Sequence, residues 1–378
     1  NMRFEEWEKE AFDYLSELYS NFFKELAEKS MKCFQIDAKE LFSENVKEIT
    51  LEQEKEIIEY WKKYLGKDID TTYHKYYIDR TGTFDVRFIP DDIFVGYIDK
   101  YLNNRAIEPG IADKNYFDMY LNGFKMPETY VHLINGIYED KNYKIISKED
   151  AIKILSNKSN ITVKPSMASY GGKNVEFLNN PSEEEVKKFL ENKIGENLIF
   201  QETIKQSSTT AKLHPSSLNT IRIMTLILDN DVKILPSAFR MGVGKSKVDN
   251  ASFGGIYCKI NSDGTLSNFA YDALGKRFDK HPDGGDFSQV KFDFMDKVVS
   301  MVKETAQRFP HFRLIGWDIA IDENDDPVII EANLTMSGLD VIETICGPLF
   351  GEYTDKVLDE IFLQEHNEQQ SMDISQYV

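Results

Sequence analysis

Two apolar runs toward the C-terminal end, residues 315–322 (IGWDIAID) and 327–333 (PVIIEAN), are separated only by the turn residues 323–326. Short runs of this kind fold back on each other as an antiparallel hairpin. Asp318 sits between Trp317 and Ile319, and Glu331 and Asn333 close the second run after Val328, Ile329 and Ile330. Pairing through the turn places Asp318 and Glu331 near opposite positions of one ladder, and the two-residue alternation puts Glu331 and Asn333 on the same face. Two carboxylates and a carboxamide on one face repel unless a cation lies between them. Hard oxygen donors of this kind suit Mg²⁺, which commonly bridges to phosphates. The competing reading is a solvated face with polar strand ends.

The rest of the chain supplies an α+β context. Residues 220–228 (TIRIMTLIL) and 232–242 (VKILPSAFRMG) flank Asp229-Asn230-Asp231 and predict a second hairpin. Residues 161–164 and 197–201 read as strands, with Ser182 and Glu185 offering a capping box for a helix between them. Val290, Phe292, Met295, Val298, Val299, Met301 and Val302 predict a long amphipathic helix. Strands joined by hairpins and covered by helices make a mixed-sheet architecture.

The first third reads differently. Trp7, Ala11, Leu15, Leu18, Phe22 and Leu26 recur on one helical face, and Thr50 with Gln53 opens a second helix that runs through Ile57, Ile58, Trp61 and Leu65 to Gly66. The aromatic segment 71–94, broken by Gly82 and Pro90, suggests short extended pieces. From Gln364 the chain is polar and reads as a frayed tail.

Composition removes several function classes. The 378 residues carry 45 Lys+Arg against 64 Asp+Glu, a net charge of −19, which disfavours nucleic acid and anionic membrane surfaces as partners. Cys33, Cys258 and Cys346 lie far apart, so neither a disulfide framework nor a structural zinc site is expected. No apolar run reaches the ~20 residues of a membrane-spanning helix and the start lacks a signal-peptide core, so a cytoplasmic protein without membrane insertion is expected. Gly244-Lys245-Ser246 imitates the end of a P-loop, but the required earlier glycine is Phe239. The six histidines are scattered.

Lys164 ends a β-branched strand and enters a loop of small residues containing Pro165, Ser166, Ser169, Gly171 and Gly172. A lysine there can pair with phosphate, and glycine lets backbone N–H groups approach phosphate oxygens. A Gly-Gly hairpin turn explains the loop equally well.

Taken in order, Asp113-Lys114, VKPSMASYGGKNV (163–175), FQETI (200–204), NTIRI (219–223), GWDIAI (316–321) and IIEAN (329–333) resemble an ATP-grasp enzyme. SLNTIRI, AFRMGVG, GWDIAI and the Asn250…Gly254-Gly255 stretch make the chain most similar to the sugar-transfer-associated ATP-grasp group, over roughly residues 87–363. The resemblance implies two α+β subdomains clasping ATP, preceded by a mainly helical N-terminal domain. The expected division is 1–105 for that helical domain, 106–205 for the part with the phosphate lysines and adenine hinge, 206–365 for the subdomain with the metal site, and 366–378 for the tail.

It also implies roles. Lys114 and Lys164 match the lysines that contact nucleotide phosphates, with Ser169, Gly171 and Gly172 in the loop beside them. Gln201 falls where an acidic residue often reads the adenine amino group, next to Glu202, and the Ile204 backbone matches the position bonding the adenine ring. Asp318, Glu331 and Asn333 match the Mg²⁺-binding trio. Arg222 and Arg240 are the candidate catalytic groups, facing the same cleft to hold the γ-phosphate or a substrate carboxylate. Some carboxylate ligases carry an arginine two residues before the strand aspartate; here that residue is Gly316.

The function implied is ATP-dependent ligation in polysaccharide or cell-surface glycan synthesis: a small-molecule carboxylate becomes an acyl phosphate and an amine, or another nucleophile on a sugar-linked substrate, displaces phosphate. The alternatives are a kinase of a sugar or small-molecule hydroxyl and a non-catalytic nucleotide-binding scaffold.

Overall fold

Several of these local rules close as written in the computed structural model, which describes residues 46–167, 174–246, 249 and 254–363, with 10, 14, 32, 38 and 39. The expected first helix, the loop residues Ser169, Gly171 and Gly172, the Asn250 position and the polar tail lie outside the described residues. Two units are distinguished: the described parts of 1–108, 311–314 and 334–378 form one, and those of 109–310 with 315–333 the other.

In the first unit, the named elements described before residue 108 are all helices. Leu51–Leu65 opens with the reciprocal Thr50–Gln53 capping box and stops at Gly66, whose φ of 67° suits a residue without Cβ. Ile57, Trp61 and Tyr64 form its buried stripe, and the Trp61 indole N–H donates to the Val86 carbonyl at 3.0 Å. The first part of the segment 71–94, expected as extended pieces, is instead a helix, Thr72–Thr81, while 83–90 carry no helix. Tyr73, His74, Tyr76 and Tyr77 lie at helical spacing and are all buried, so packing of one apolar face overrides the strand preference of the aromatics. The chain from Leu334 onward also belongs to this unit rather than to the preceding sheet, which differs from the 206–365 division expected above. The Glu343 carboxyl, on the helix Leu339–Cys346, is fully buried and accepts the backbone N–H groups of Ile89 (2.8 Å) and Leu349 (2.9 Å). That contact ties the helix Leu339–Cys346 to residues near position 90.

The second unit holds two sheets. Six strands, β1 (Thr129–Ile134), β2 (Ile137–Asp140), β3 (Ile145–Ile146), β4 (Asn160–Pro165), β5 (Glu176–Asn179) and β6 (Leu198–Glu202), are ordered β3-β2-β1-β6-β4-β5. One face presents Val131, Leu133, Ile161, Val163, Leu198 and Phe200 to the helices Lys148–Ser156 and Glu183–Glu191, closing a core with Ala151, Leu155, Val186 and Leu190. Alternation sends the intervening residues, Thr162 and Lys164 among them, to the opposite face.

The other sheet contains β7 (Thr220–Leu228), β8 (Asp231–Met241), β9 (Ile256–Lys259), β10 (Ala270–Asp272), β11 (Arg277–Phe278), β12 (Leu314–Ile321) and β13 (Pro327–Asn333), ordered β11-β10-β9-β8-β7-β12-β13. The β7–β8 hairpin turns at Asp229 and Asn230, with φ of 53° and 58°, as a tight turn between right-twisted strands requires. In β12–β13, Asp318 pairs with Glu331 and Gly316 with Asn333, the opposition expected from the sequence. Between Asp318 and Ile319 the register shifts: Ile319 faces Ile329, leaving Ile330 as the extra residue of a β-bulge.

The predicted helix over 290–302 begins only at Met295 and runs to Ala306. Val290 is extended, and the Phe292 N–H donates to the Gly264 carbonyl at 2.9 Å. A Cβ on Gly264 would stand 2.3 Å from the Phe292 carbonyl oxygen, so this close approach is open only to glycine.

Candidate active site

A cavity of about 420 Å³ lies within the second unit, lined from both sheets. From the six-stranded sheet come Thr162 and Lys164 of β4 with Phe177 of β5; from the other come Thr220 and Arg222 of β7, Arg240 of β8, Asp318 of β12, and Ile330, Glu331 and Asn333 of β13. On β12, Asp318 alternates with the core residues Trp317 and Ile319, which are fully buried; the Trp317 indole N–H donates to the Thr225 hydroxyl at 2.9 Å. The carboxylate is thus carried on an interior strand, flanked by β7 and β13.

Asp318 is held by two guanidinium groups. Its Oδ1 accepts Arg222 Nε at 2.6 Å and Arg240 Nη1 at 2.9 Å, and its Oδ2 accepts Arg222 Nη2 at 3.1 Å. Burial alone would push this carboxyl up, but the two arginines outweigh it and hold the group down at about 2. Arg240 is likewise pulled down by burial and raised overall by Asp249 and Asp318.

Glu331 accepts Lys114 Nζ at 2.8 Å. The Lys114 backbone N–H donates to the Ser166 carbonyl at 2.9 Å, so the chain carrying one lysine is tied to the strand end carrying the other. Lys164 is brought down to about 8 by burial and by neighbouring Lys114, against the opposing pull of Glu331 and Asp318.

Lys114, Lys164, Glu202, Ile204, Arg222, Arg240, Asp318, Glu331 and Asn333 all line this cavity, whereas Gln201 is not among its lining residues. Gln201 is buried, and its amide nitrogen donates to the Thr129 hydroxyl at 3.3 Å. Sequence reasoning missed Asp249, Thr220, Thr162 and Thr203. Alternation from Lys164 points to Thr162, and its hydroxyl pairs with Thr203 at 2.9 Å. Asp249 sits in a loop with no periodic signal; it accepts the Thr220 hydroxyl and lies 3.6 Å from Arg240 Nη2.

The donor set at the end of β12–β13 fits a hard divalent cation. Asp318 and Glu331 are direct ladder partners, and Asn333 donates its amide N–H to the Gly316 carbonyl at 3.0 Å, which turns its carboxamide oxygen away from that strand. Among the described residues no group of three His, Cys, Asp or Glu side chains is placed to hold a metal. Both carboxylates are already paired with cations of the protein.

Solved structures resemble this chain only distantly. They include N5-carboxyaminoimidazole synthase from Aspergillus clavatus with ADP and 5-aminoimidazole ribonucleotide (12% identity, TM-score 0.36, covering 62% of this chain and 47% of that one). An L-amino acid ligase from Bacillus licheniformis matches at 15% identity and TM-score 0.35, covering 61% and 42%. The ATP-grasp ligase PsnB with a phosphomimetic variant of its minimal precursor, Mg and ADP matches at 12% and 0.41, covering 68% and 62%. The chain thus spans less than half the length of the first two, and likenesses this weak carry no argument about activity. No curated protein matches the sequence. A family profile, described as sugar-transfer associated ATP-grasp, matches residues 95–348, well over half of the chain. With the α+β fold and the order of motifs along it, this match shows that the chain belongs to the sugar-transfer-associated ATP-grasp family, one branch of the ATP-grasp enzymes.

Proposed function

We propose that the protein is an ATP-dependent ligase that activates a carboxylate as an acyl phosphate for attack by an amine or similar nucleophile. The observation that supports it is the convergence of Lys114, Lys164, Arg222 and Arg240 with Asp318, Glu331 and Asn333 on one cavity, in a chain of this family. Loss of oxide from a carboxylate is prohibitive, so the carboxylate oxygen first takes the γ-phosphoryl group and phosphate then leaves as the nucleophile adds. Such a reaction needs little covalent help from the protein and depends on positioning and charge stabilisation.

In this reading Lys114 and Lys164 hold the nucleotide phosphates. Thr203, Ile204 and Glu202 lie where the chain leaves β6 and would border the base, while Gln201 stands behind them. Arg222 and Arg240 face the transferring group or the substrate carboxylate. Asp318, Glu331 and the Asn333 amide oxygen would hold Mg²⁺, which when bound supplies Lewis-acid stabilisation of phosphate oxygens. Removing one such electrostatic contact costs on the order of 3 kcal/mol at a transition state.

The family description favours substrates linked to sugar transfer, in polysaccharide or cell-surface glycan synthesis, and dependence on ATP favours a cytoplasmic location. The test is ADP release from Mg-ATP across a panel of carboxylates, amines and sugar acids, with products read by mass spectrometry. A ligase requires two acceptors and yields free phosphate. A stable phosphoester from a single hydroxyl acceptor would replace this reading with a kinase.

A further inference from the structure

We infer that Arg240 is a two-position cation that neutralises Asp318 in the nucleotide-free protein and passes to Asp249 when a divalent cation and a nucleotide polyphosphate enter together. Asp249 is on this account a positioning residue that couples the two ligands. The inference rests on the ATP and metal reading above and adds an order of events to it.

A bare dication would meet carboxylates that are already engaged. Both oxygens of Asp318 are engaged by guanidinium N–H groups, three contacts in all, and Glu331 is engaged by Lys114. The cavity wall carries Lys114, Lys164, Lys205, Arg222 and Arg240 against Glu202, Asp249, Asp318 and Glu331, a formal surplus of one positive charge. A dication arriving alone must displace charge-assisted hydrogen bonds and add to that surplus. A polyphosphate arriving alone meets Lys114, Arg222 and Arg240 already spent on carboxylates. Arriving together, the metal takes the carboxylates and the phosphates take the released Lys114 and Arg222, so each ligand strengthens the other.

The full displacement from Asp318 that metal and nucleotide achieve together needs somewhere for Arg240 to go in a buried wall, because an uncompensated buried cation is costly. Asp249 provides that place. Thr220 and Arg240 are directly opposed in the β7–β8 ladder, and the Thr220 hydroxyl donates to Asp249, which stations this carboxylate beside the guanidinium. Nη1 contacts Asp318 at 2.9 Å while Nη2 is 3.6 Å from Asp249 Oδ1. Closing that second gap to the ~2.8 Å of an ion-paired N–H···O contact takes a shift of roughly 0.8 Å. The arginine therefore stands with one end on each carboxylate.

The experiment uses Mn²⁺ as an EPR-visible divalent probe on the full chain, with and without saturating AMP-PNP and with the Mn–nucleotide complex subtracted. Wild type should bind Mn²⁺ at least tenfold more tightly with AMP-PNP than without it. Arg240→Met should raise affinity for Mn²⁺ alone about tenfold. Asp249→Asn should leave Mn²⁺ alone within twofold but weaken the nucleotide-coupled affinity about tenfold, and Asp249→Glu should recover most of it. Equal Mn²⁺ affinity with and without nucleotide, or an Asp249→Asn loss that is the same in both states or is not rescued by Glu, overturns the inference and leaves the ligase reading standing. Failure of the wild type to hold Mn²⁺ in the presence of AMP-PNP overturns both.

Discussion

Lys164 offers the sharpest quantitative test, because its charge changes within an accessible pH range. Burial and the adjacent Lys114 bring it to about 8, against an ordinary lysine value of 10.5. At pH 7.5 the free protein carries this ammonium about three-quarters charged, and at pH 9.5 only ~3% charged, by simple titration about that value. Bound phosphate favours the charged form. If the complex restores the ordinary value, nucleotide binding takes up ~0.9 proton near pH 9, and affinity falls about twentyfold from pH 7.5 to 9.5. The full span corresponds to about 3.5 kcal/mol at ~1.4 kcal/mol per pH unit. The sign follows directly: binding is tight below the free-state value of Lys164 and weakens as pH rises through it. The assay is isothermal titration calorimetry with MgADP, fully ionised over this range, in buffers of differing ionisation enthalpy. Lys164→Met should bind weakly and lose the proton uptake. A wild-type affinity constant within twofold from pH 7.5 to 9.5, with no proton uptake, would refute the placement of phosphate against Lys164.

Three further outcomes can be checked on the nucleotide-free protein. Asp318→Asn removes the shared counter-ion of Arg222 and Arg240 and should cost about 3–5 kcal/mol in denaturant unfolding; a loss below ~1 kcal/mol would mean the pair is solvated. Thr225→Val strands the Trp317 indole N–H in the core and should cost about 1–3 kcal/mol, with Thr225→Ser recovering most of it. In the other unit, burial together with Asp340 and Asp92 pushes the Asp91 carboxyl up to about 8, outweighing the Tyr77 hydroxyl that donates to it at 2.6 Å. The folded chain then keeps a proton that the unfolded chain releases near 4, so what Asp91 contributes to stability is greatest below that pH and falls as pH climbs toward 8. Asp91→Asn should remove this contribution, and a wild-type melting temperature that gains on that of the variant as pH rises across the window would contradict it.

What the sequence disclosed was governed by short-range rules. The Thr50–Gln53 and Ser182–Glu185 boxes, the Asp229-Asn230 turn and the Asp318–Glu331 opposition each depend on residues a few positions apart, or on one turn fixing a register. The helix Thr72–Thr81 was hidden because its tyrosines suit either a strand or a buried helical face, and only a packing partner decides between them. The embrace of Asp318 by Arg222 and Arg240 was hidden for a different reason. It needs β7 beside β12 in the sheet, a neighbour relation between strands nearly a hundred residues apart that no local pattern encodes. Asp249 falls in a stretch without periodicity, and amphipathic helices such as Leu339–Cys346 state that they will cover something without stating what.

The bulge at Ile330 has a consequence beyond the bend it introduces. In an unbroken ladder, the parity of every side chain along β13 would be set by the turn at one end. With one residue out of step, the segment before the bulge can keep Val328 and Ile329 buried while the segment after it independently aims Glu331 and Asn333 at the cavity, and Ile330 itself becomes part of the wall. The strand thus has two separately phased halves. A one-residue insertion or deletion on the turn side can be absorbed at this joint without rotating the acidic end away from its partners, whereas the same change between Glu331 and Asn333 would put the carboxylate and the carboxamide on opposite faces.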